Sequence, residues 1–165
     1  MNKTRYVAMT EWFREHGKIR GILTFFYKFL PYVFWISYPT LLIIKGFISI
    51  DRDFVTMLVV PPSVFVGVTV MRKLINRPRP YEKYSTASVI YKERKGCSFP
   101  SRHAASAFVI AMCGYAVSIP LGIVLTVLAS LVALTRILAG VHFISDVVFG
   151  ALFSVGIASV FFFII

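Results

Sequence analysis

Acidic residues are scarce. The 165 residues hold 7 Asp and Glu against 18 Lys and Arg, a net charge of +11. After Glu93 a single acid remains, Asp146. A protein-built magnesium site draws on more than one carboxylate or phosphate partner, so neither metal nor cofactor is expected. Cysteines number two. Cys113 lies about ten helical residues past the helix mouth near Cys97, roughly 15 Å at 1.5 Å per residue. A disulfide needs Cα atoms within about 7 Å, so none is expected. Charged residues of both signs make up only 15% of the chain, and mean hydropathy is +0.77. Such a composition excludes an ordinary soluble domain and leaves nothing soluble to hold nucleic acid. The positive excess is read instead as attraction to anionic lipid. Internal repeats, low-complexity segments and a secretory leader pattern are also missing. The first 20 residues mix charge throughout and lack a short apolar core followed by small residues. The first span is therefore expected to stay in the protein and act as its own insertion signal.

Long uncharged runs are present, at 29–44, 54–71, 104–135 and 147–165. About 20 apolar residues cross the hydrocarbon core as a helix. Strands are excluded because backbone groups in hydrocarbon must bond within their own segment or a closed barrel. The run 104–135 is too long for one span, and Ser118-Ile119-Pro120-Leu121-Gly122 divides it into a hairpin of two short helices. The expected fold is an all-α polytopic membrane helix bundle. It has about five transmembrane helices plus an N-terminal amphipathic helix, in a single domain over 1–165. Residues 1–23 form the interfacial segment, with Tyr6, Trp12 and Phe13 against lipid, and 54–165 carry the motifs. The expected spans are Thr24–Gly46, Phe54–Ile75 (kinked at Pro61 and Pro62), Ser101–Ser118, 120–138 and 144–165. A polar loop fills 76–99.

This order of spans brings three polar clusters to one membrane face. The first is MRKLINRPRPYEKY, residues 71–84. Arg72 and Arg79 bracket the end of a helix, with Lys73 and Arg77 between them. Guanidinium matches phosphate oxygens in a bidentate way. Alone, the segment reads equally as a positive anchor at a membrane end. The second cluster is CSFPSRHAASAF, residues 97–108. Pro100 suits a first turn and Ser101 can cap. A helix N-terminus attracts anions, and His103 stands where it can exchange a proton with one. Alone, this is also a helix cap with an incidental histidine. The third is LTRILAGVHFISDVV, residues 134–148. Arg136 is followed by His142 and, four residues on, by Asp146. On one helix face the carboxylate can accept the ring N–H and leave the other nitrogen as a nucleophile. The alternative is a buried pair that only stabilises the bundle. Together the clusters suit phosphoryl transfer: arginines for the oxygens, one histidine to attack and one to protonate the leaving group.

At these residues the sequence resembles the type 2 phosphatidic acid phosphatase family of membrane lipid phosphatases. The family pattern is Lys, six residues, Arg-Pro; then Pro-Ser-Gly-His; then Ser-Arg, five residues, His, three residues, Asp. Here Arg72 stands six residues before Arg79-Pro80, Pro100-Ser101-Arg102-His103 follows, and Thr135-Arg136 precedes His142 and Asp146 at matching spacing. The resemblance covers about residues 54–165. It implies that His142 is a nucleophile forming a phosphohistidine, His103 the general acid, and Asp146 the group that orients His142. It implies that Arg72, Arg79, Ser101, Arg102 and Arg136 hold the phosphate, without metal. Three departures stand out. Arg72 replaces lysine, Thr135 replaces serine, and Arg102 replaces glycine, which is expected to alter substrate preference. The family's six-helix core is expected to be shortened.

The partners implied are a lipid phosphate and the bilayer. Phosphatidic acid, phosphatidylglycerophosphate and undecaprenyl diphosphate are the candidates. Tyr81, Tyr84 and the run Lys92-Glu93-Arg94-Lys95 are read as a lid or headgroup guide, or else as a solvated loop touching anionic lipid. The excess of Lys and Arg on the site face points to the cytoplasm. Many of those charges belong to the site itself, however, and bacterial relatives often face outward. The expectation is a multi-pass cell-membrane protein with an extracytoplasmic site. A non-catalytic lipid-phosphate carrier with the same pocket is the alternative, although binding alone does not need His103, His142 and Asp146. A vanadium haloperoxidase fits less well because those relatives are larger and mostly soluble. A channel would need polar groups across the bilayer rather than at one end.

Overall fold

The structure is a computed structural model and describes residues 2–92 and 95–164. Among the described residues seven helices follow one another: α1 (Lys3–Glu15), α2 (Gly17–Ile48), α3 (Arg52–Ile75), α4 (Pro80–Lys83), α5 (Arg102–Val117), α6 (Ile119–Leu138) and α7 (Ile144–Phe163). No strand occurs among the described residues. Helix starts and stops follow local chemistry. Asn2 accepts the N–H of Arg5 at 3.0 Å, and Asp51 accepts that of Phe54 at 3.0 Å, each satisfying an end group that the helix cannot. α3 runs on through Pro61 and Pro62 and ends at Asn76, which adopts the left-handed conformation (φ 40°). Only Ser118 separates α5 from α6, so the expected hairpin is there.

α2, α3, α6 and α7 are long and apolar enough to cross a membrane. Four helices among the described residues meet that length and composition. The fifth expected span is α5, with 16 residues. At 1.5 Å per residue it is about 24 Å long, short of a hydrocarbon core about 30 Å thick. α5 forms the centre of the bundle and packs against α2, α3, α6 and α7, and neighbours shield its ends from the mismatch. Its buried residues are mostly small: Ala104, Ala105, Ala107, Ala111, Cys113 and Gly114. Lipid tails are as apolar as leucine, so helices in a membrane gain from close van der Waals packing rather than from escaping solvent. Small residues provide that closeness. Conversely, large apolar side chains such as Trp35, Phe47, Leu74 and Leu152 point outward, 68–88% exposed, a surface suited to hydrocarbon.

The N-terminus departs from expectation. α1 stops at Glu15, and the first long helix starts at Gly17, seven residues earlier than the hydropathy pattern alone implied. Trp12 is exposed as expected, but Tyr6 and Phe13 are buried against protein. Tyr6 donates its hydroxyl to the carbonyl of Gly140 at 3.0 Å. Burial pushes that phenol up to about 12, so it stays a donor. α1 therefore lies over the turn between α6 and α7. Amphipathic spacing identifies an apolar face without saying whether lipid or protein covers it.

Two glycines fix that end of the molecule. Gly140 has φ +74°, and a Cβ there would stand 2.9 Å from the Tyr6 hydroxyl. Both backbone and space require glycine, so the chain turns here under α1 and delivers His142. Gly150 lets α7 touch the start of α5, since a Cβ there would stand 2.8 Å from the carbonyl oxygen of Ser101.

Candidate functional site

The three polar clusters converge. Tyr27, Arg72, Arg79, Lys92, Arg102, His103, Arg136 and His142 line one cavity of about 140 Å³. Its residues come from α2, the end of α3, the loop after it, the first turn of α5, the end of α6 and the α6–α7 turn. No acid lines it among the described residues, nor do those residues hold a group of three or more His, Cys, Asp or Glu that could bind a metal ion.

Backbone carbonyls hold the arginines. Arg72, only 4% exposed, donates Nη1 to Ser98 O at 3.3 Å and to Pro100 O at 2.5 Å. It thus ties the end of α3 to the segment entering α5. Arg79 donates Nε to Gly96 O at 3.1 Å and Nη1 to Val141 O at 3.3 Å. Arg136 donates Nη2 to Tyr27 O at 3.0 Å, and its guanidinium lies 3.8 Å over the Tyr27 ring. Carbonyls orient a cation without cancelling its charge, and a guanidinium has five donors to share. Arg136 Nε is buried with no hydrogen-bond partner, as are Ser101 Oγ and His142 Nδ1. Buried polar groups are rarely left unpaired without a reason.

Asp146 is fully buried behind His142 and densely bonded. Arg77 Nη1 donates to its Oδ1 at 2.7 Å. Ser98 Oγ donates to Oδ2 at 2.5 Å, and the N–H of Phe143 to the same oxygen at 2.9 Å. His142 Nδ1 stands 3.5 Å from Oδ2. That is ion-pair range but beyond a good hydrogen bond, so this nitrogen counts as unpartnered. The sequence placed both residues on one helix face. In fact His142 precedes α7, while Asp146 sits in its first turn and receives Phe143 N–H. The four-residue spacing works here as a helix-entry geometry. Burial pushes the His142 imidazole down to about 4, opposed by Asp146 and helped by Arg79 and Arg72. That shift favours the neutral form of the ring, the form in which an imidazole nitrogen can attack.

Other expectations change in detail. Ser101 is the residue before α5, but its side chain makes no cap bond, and α5 starts at Arg102, two residues after Pro100. The Ser101 N–H is used by Asp146 O at 2.9 Å, which leaves the first-turn N–H groups of α5 itself to face an anion. Ser101 and Asp146 lie behind the cavity wall rather than on it. Thr135 bonds back to Val132 O at 2.7 Å and presents no hydroxyl to the cavity. Tyr81 packs against the Tyr27 and Val141 cluster, and Tyr84 meets Tyr6 and Phe143. Of the basic run read as a lid, Glu93 and Arg94 lie outside the described residues, and Lys92 lines the cavity.

Sequence reasoning gave no role at the site to Arg77, Ser98 or Tyr27, and read Lys92 as a lid or headgroup guide rather than as part of the cavity wall. Arg77 and Ser98 stood inside the quoted clusters. The signal for them was a buried lone acid that needed partners. Arg77 also donates to Ser145 Oγ at 2.9 Å and lies 4.4 Å over the Phe143 ring, fastening the α3–α4 linker to the His142 turn. Arg77→Ala should lower kcat on the order of 10- to 100-fold through misplacement, with KM little changed and partial recovery in Arg77→Lys. Steady-state kinetics on the three proteins checks this.

The sequence matches the PAP2 superfamily over residues 53–165. The chain belongs to that family. Solved PAP2 structures share its fold. A transmembrane PAP2-type phosphatidylglycerolphosphate phosphatase from Bacillus subtilis is 23% identical, with TM-score 0.67, covering 94% of this chain and 80% of that one. LpxE of Aquifex aeolicus is 24% identical, with TM-score 0.71, covering 94% of this chain and 93% of that one. Among curated protein sequences none matches. The PAP2 match begins at the start of α3, so α1 and α2 lie outside it, yet Tyr6 and Tyr27 from these helices fix the Gly140 turn and Arg136.

Proposed function

We propose that this chain is an integral membrane lipid phosphatase that releases phosphate from a lipid phosphate monoester or diphosphate through a phosphohistidine, without metal. Arg72, Arg79, Arg136 and the first turn of α5, with Ser101 behind it, hold the phosphoryl oxygens. With Nδ1 of His142 turned toward Asp146, Nε2 is the atom that attacks phosphorus. Burial and the nearby arginines hold the His103 imidazole down. The bound phosphate's negative charge offsets this and lets the ring take up a proton, which it gives to the lipid-side oxygen as that oxygen's bond to phosphorus breaks. Water then attacks the phosphohistidine, His103 takes the proton back, and inorganic phosphate leaves. The arginines carry the charge that builds on the oxygens, and Asp146 with Arg77 and Ser98 holds the His142 turn.

One observation carries this reading. A cationic cavity without a described acid holds two histidines from separate segments, and Arg136, which lines it, keeps a buried Nε without a hydrogen-bond partner among the described residues. Purified protein in detergent with excess EDTA is expected to release phosphate from at least one member of a panel of phosphatidic acid, phosphatidylglycerophosphate and undecaprenyl diphosphate. Binding of these lipids without release from any of them would favour the carrier.

The site is proposed to face the extracytoplasmic side. Cys97 is partly exposed beside the site, whereas Cys113 is buried. A membrane-impermeant maleimide applied to intact cells is expected to label Cys97, and Cys97→Ser to abolish labelling. Labelling only after lysis would reverse the orientation.

A further inference from the structure

A second, larger cavity of about 520 Å³ lies against the phosphate cavity. Its wall is apolar and runs between α2, α3 and α5, from Pro31, Phe34 and Trp35 across Pro61 and Phe65 to Ile110. Two residues line both cavities, Arg102 and His103. They therefore mark the junction where a headgroup in the polar cavity would pass into a hydrocarbon chain in the apolar one. His103 belongs there in the proposed mechanism, because the leaving oxygen joins those two parts of the substrate. Arg102 needs a separate explanation. Its guanidinium carbon lies 5.6 Å from the centroid of the Phe65 ring, on the apolar side. With a phosphoryl group in the polar cavity, a guanidinium leaning to this side would meet the first atoms of the leaving group.

A cation at that depth fits some leaving groups and penalises others. A neutral glycerol or alkyl carbon placed there would displace solvent from a charge and give nothing back. A second phosphate there would meet a planar donor set matched to its oxygens. We infer that Arg102 is a specificity-determining residue that reads the group next to the transferred phosphoryl, and that the favoured substrates are lipid diphosphates, with the lipid monophosphate as leaving group. The inference rests on the phosphatase reading above and on where the guanidinium stands. Water supplies the hydroxyl of the released phosphate, phosphorus loses its bond to the bridging oxygen, and that oxygen leaves as part of the lipid monophosphate. Arg102 stabilises the negative charge that the bridging oxygen takes up.

The test holds the hydrocarbon constant. Initial rates of phosphate release are measured with farnesyl diphosphate and farnesyl monophosphate, and the ratio of the two kcat/KM values is read for wild-type protein, Arg102→Gly, Arg102→Gln and Arg102→Lys. The wild-type ratio is expected to favour the diphosphate. It should fall at least 10-fold in Arg102→Gly and Arg102→Gln and be largely restored in Arg102→Lys. Because a ratio is read within each protein, a variant that folds in lower yield still reports, and the glutamine variant decides if the glycine variant does not fold. Equal losses on both substrates would assign Arg102 to the transferred phosphoryl and overturn the inference. An unchanged ratio would overturn it too. Absence of release from both farnesyl substrates by wild-type protein that is active on phosphatidic acid would overturn this inference alone, and absence of release from these and from every lipid of the panel above would overturn the phosphatase reading with it.

Discussion

His142→Ala is expected to remove phosphate release almost completely, by about 10⁴-fold or more. Loss of a covalent nucleophile can cost about as much as loss of the whole catalytic set, leaving only what binding and electrostatics supply. The effect should fall on kcat. The arginines, Lys92 and the start of α5 do not depend on the imidazole for their positions: Arg72, Arg79 and Arg136 are held by carbonyls of Ser98, Pro100, Gly96, Val141 and Tyr27. Substrate affinity is thus expected to survive within a few-fold. The check is paired: phosphate release for kcat, and protection against thermal unfolding by the same lipid for binding. Loss of binding together with activity would mean that His142 builds the cavity rather than reacting in it.

His103 is expected to separate substrates by their leaving groups. General acid catalysis contributes typically 10²- to 10⁴-fold, and it matters most when the departing oxygen is a strong base. His103→Asn should therefore slow release from an alkyl phosphate such as phosphatidic acid by about 10²-fold or more. p-Nitrophenyl phosphate, whose phenolate leaves without a proton, should lose far less in the same variant. His142→Ala should be inactive toward both. That contrast distinguishes the two histidines, which share one cavity wall and look alike on charge alone. Equal losses for His103→Asn on both substrates would remove it from the acid role.

Much of this arrangement was legible in the sequence, and the reasons are specific. Uncharged runs of helical length, a proline–glycine break at 120–122 and the order of the spans were enough to bring residues 72–79, 100–103 and 136–146 to one end of the bundle. The cavity lined by Arg72, Arg79, Arg102, His103, Arg136 and His142 is that convergence in three dimensions. What hydropathy could not supply was which apolar faces meet lipid and which meet protein. Trp12 and Tyr6 look alike in a helical pattern, yet one is exposed and the other fully buried against the Gly140 turn. α5 read as one more span because its composition is apolar; hydropathy did not show that its small residues make it the centre against which the longer helices pack.

The supporting layer was harder to read. Asp146 was found because it is the last acid in the chain, and its spacing to His142 suggested a direct hydrogen bond. The carboxylate is instead taken up by Arg77, Ser98 and the N–H of Phe143, with His142 Nδ1 at 3.5 Å. Ser98 and Arg77 lie 48 and 69 residues away in sequence, and no periodicity links them to Asp146. They become visible only when a buried charge is asked for its partners. Tyr27 was hidden for a similar reason: an aromatic residue in an apolar span reads as lipid-facing or core, and its carbonyl and ring face carry the role here.

Rapid quenching of the detergent-solubilised protein with a ³²P-labelled lipid phosphate, in excess EDTA, tests the central claim most directly. The account predicts a transient label that is acid-labile and base-stable, carried on the peptide containing His142, and absent in His142→Ala. Steady phosphate release with no label on the protein, or the same label persisting in His142→Ala, would contradict it.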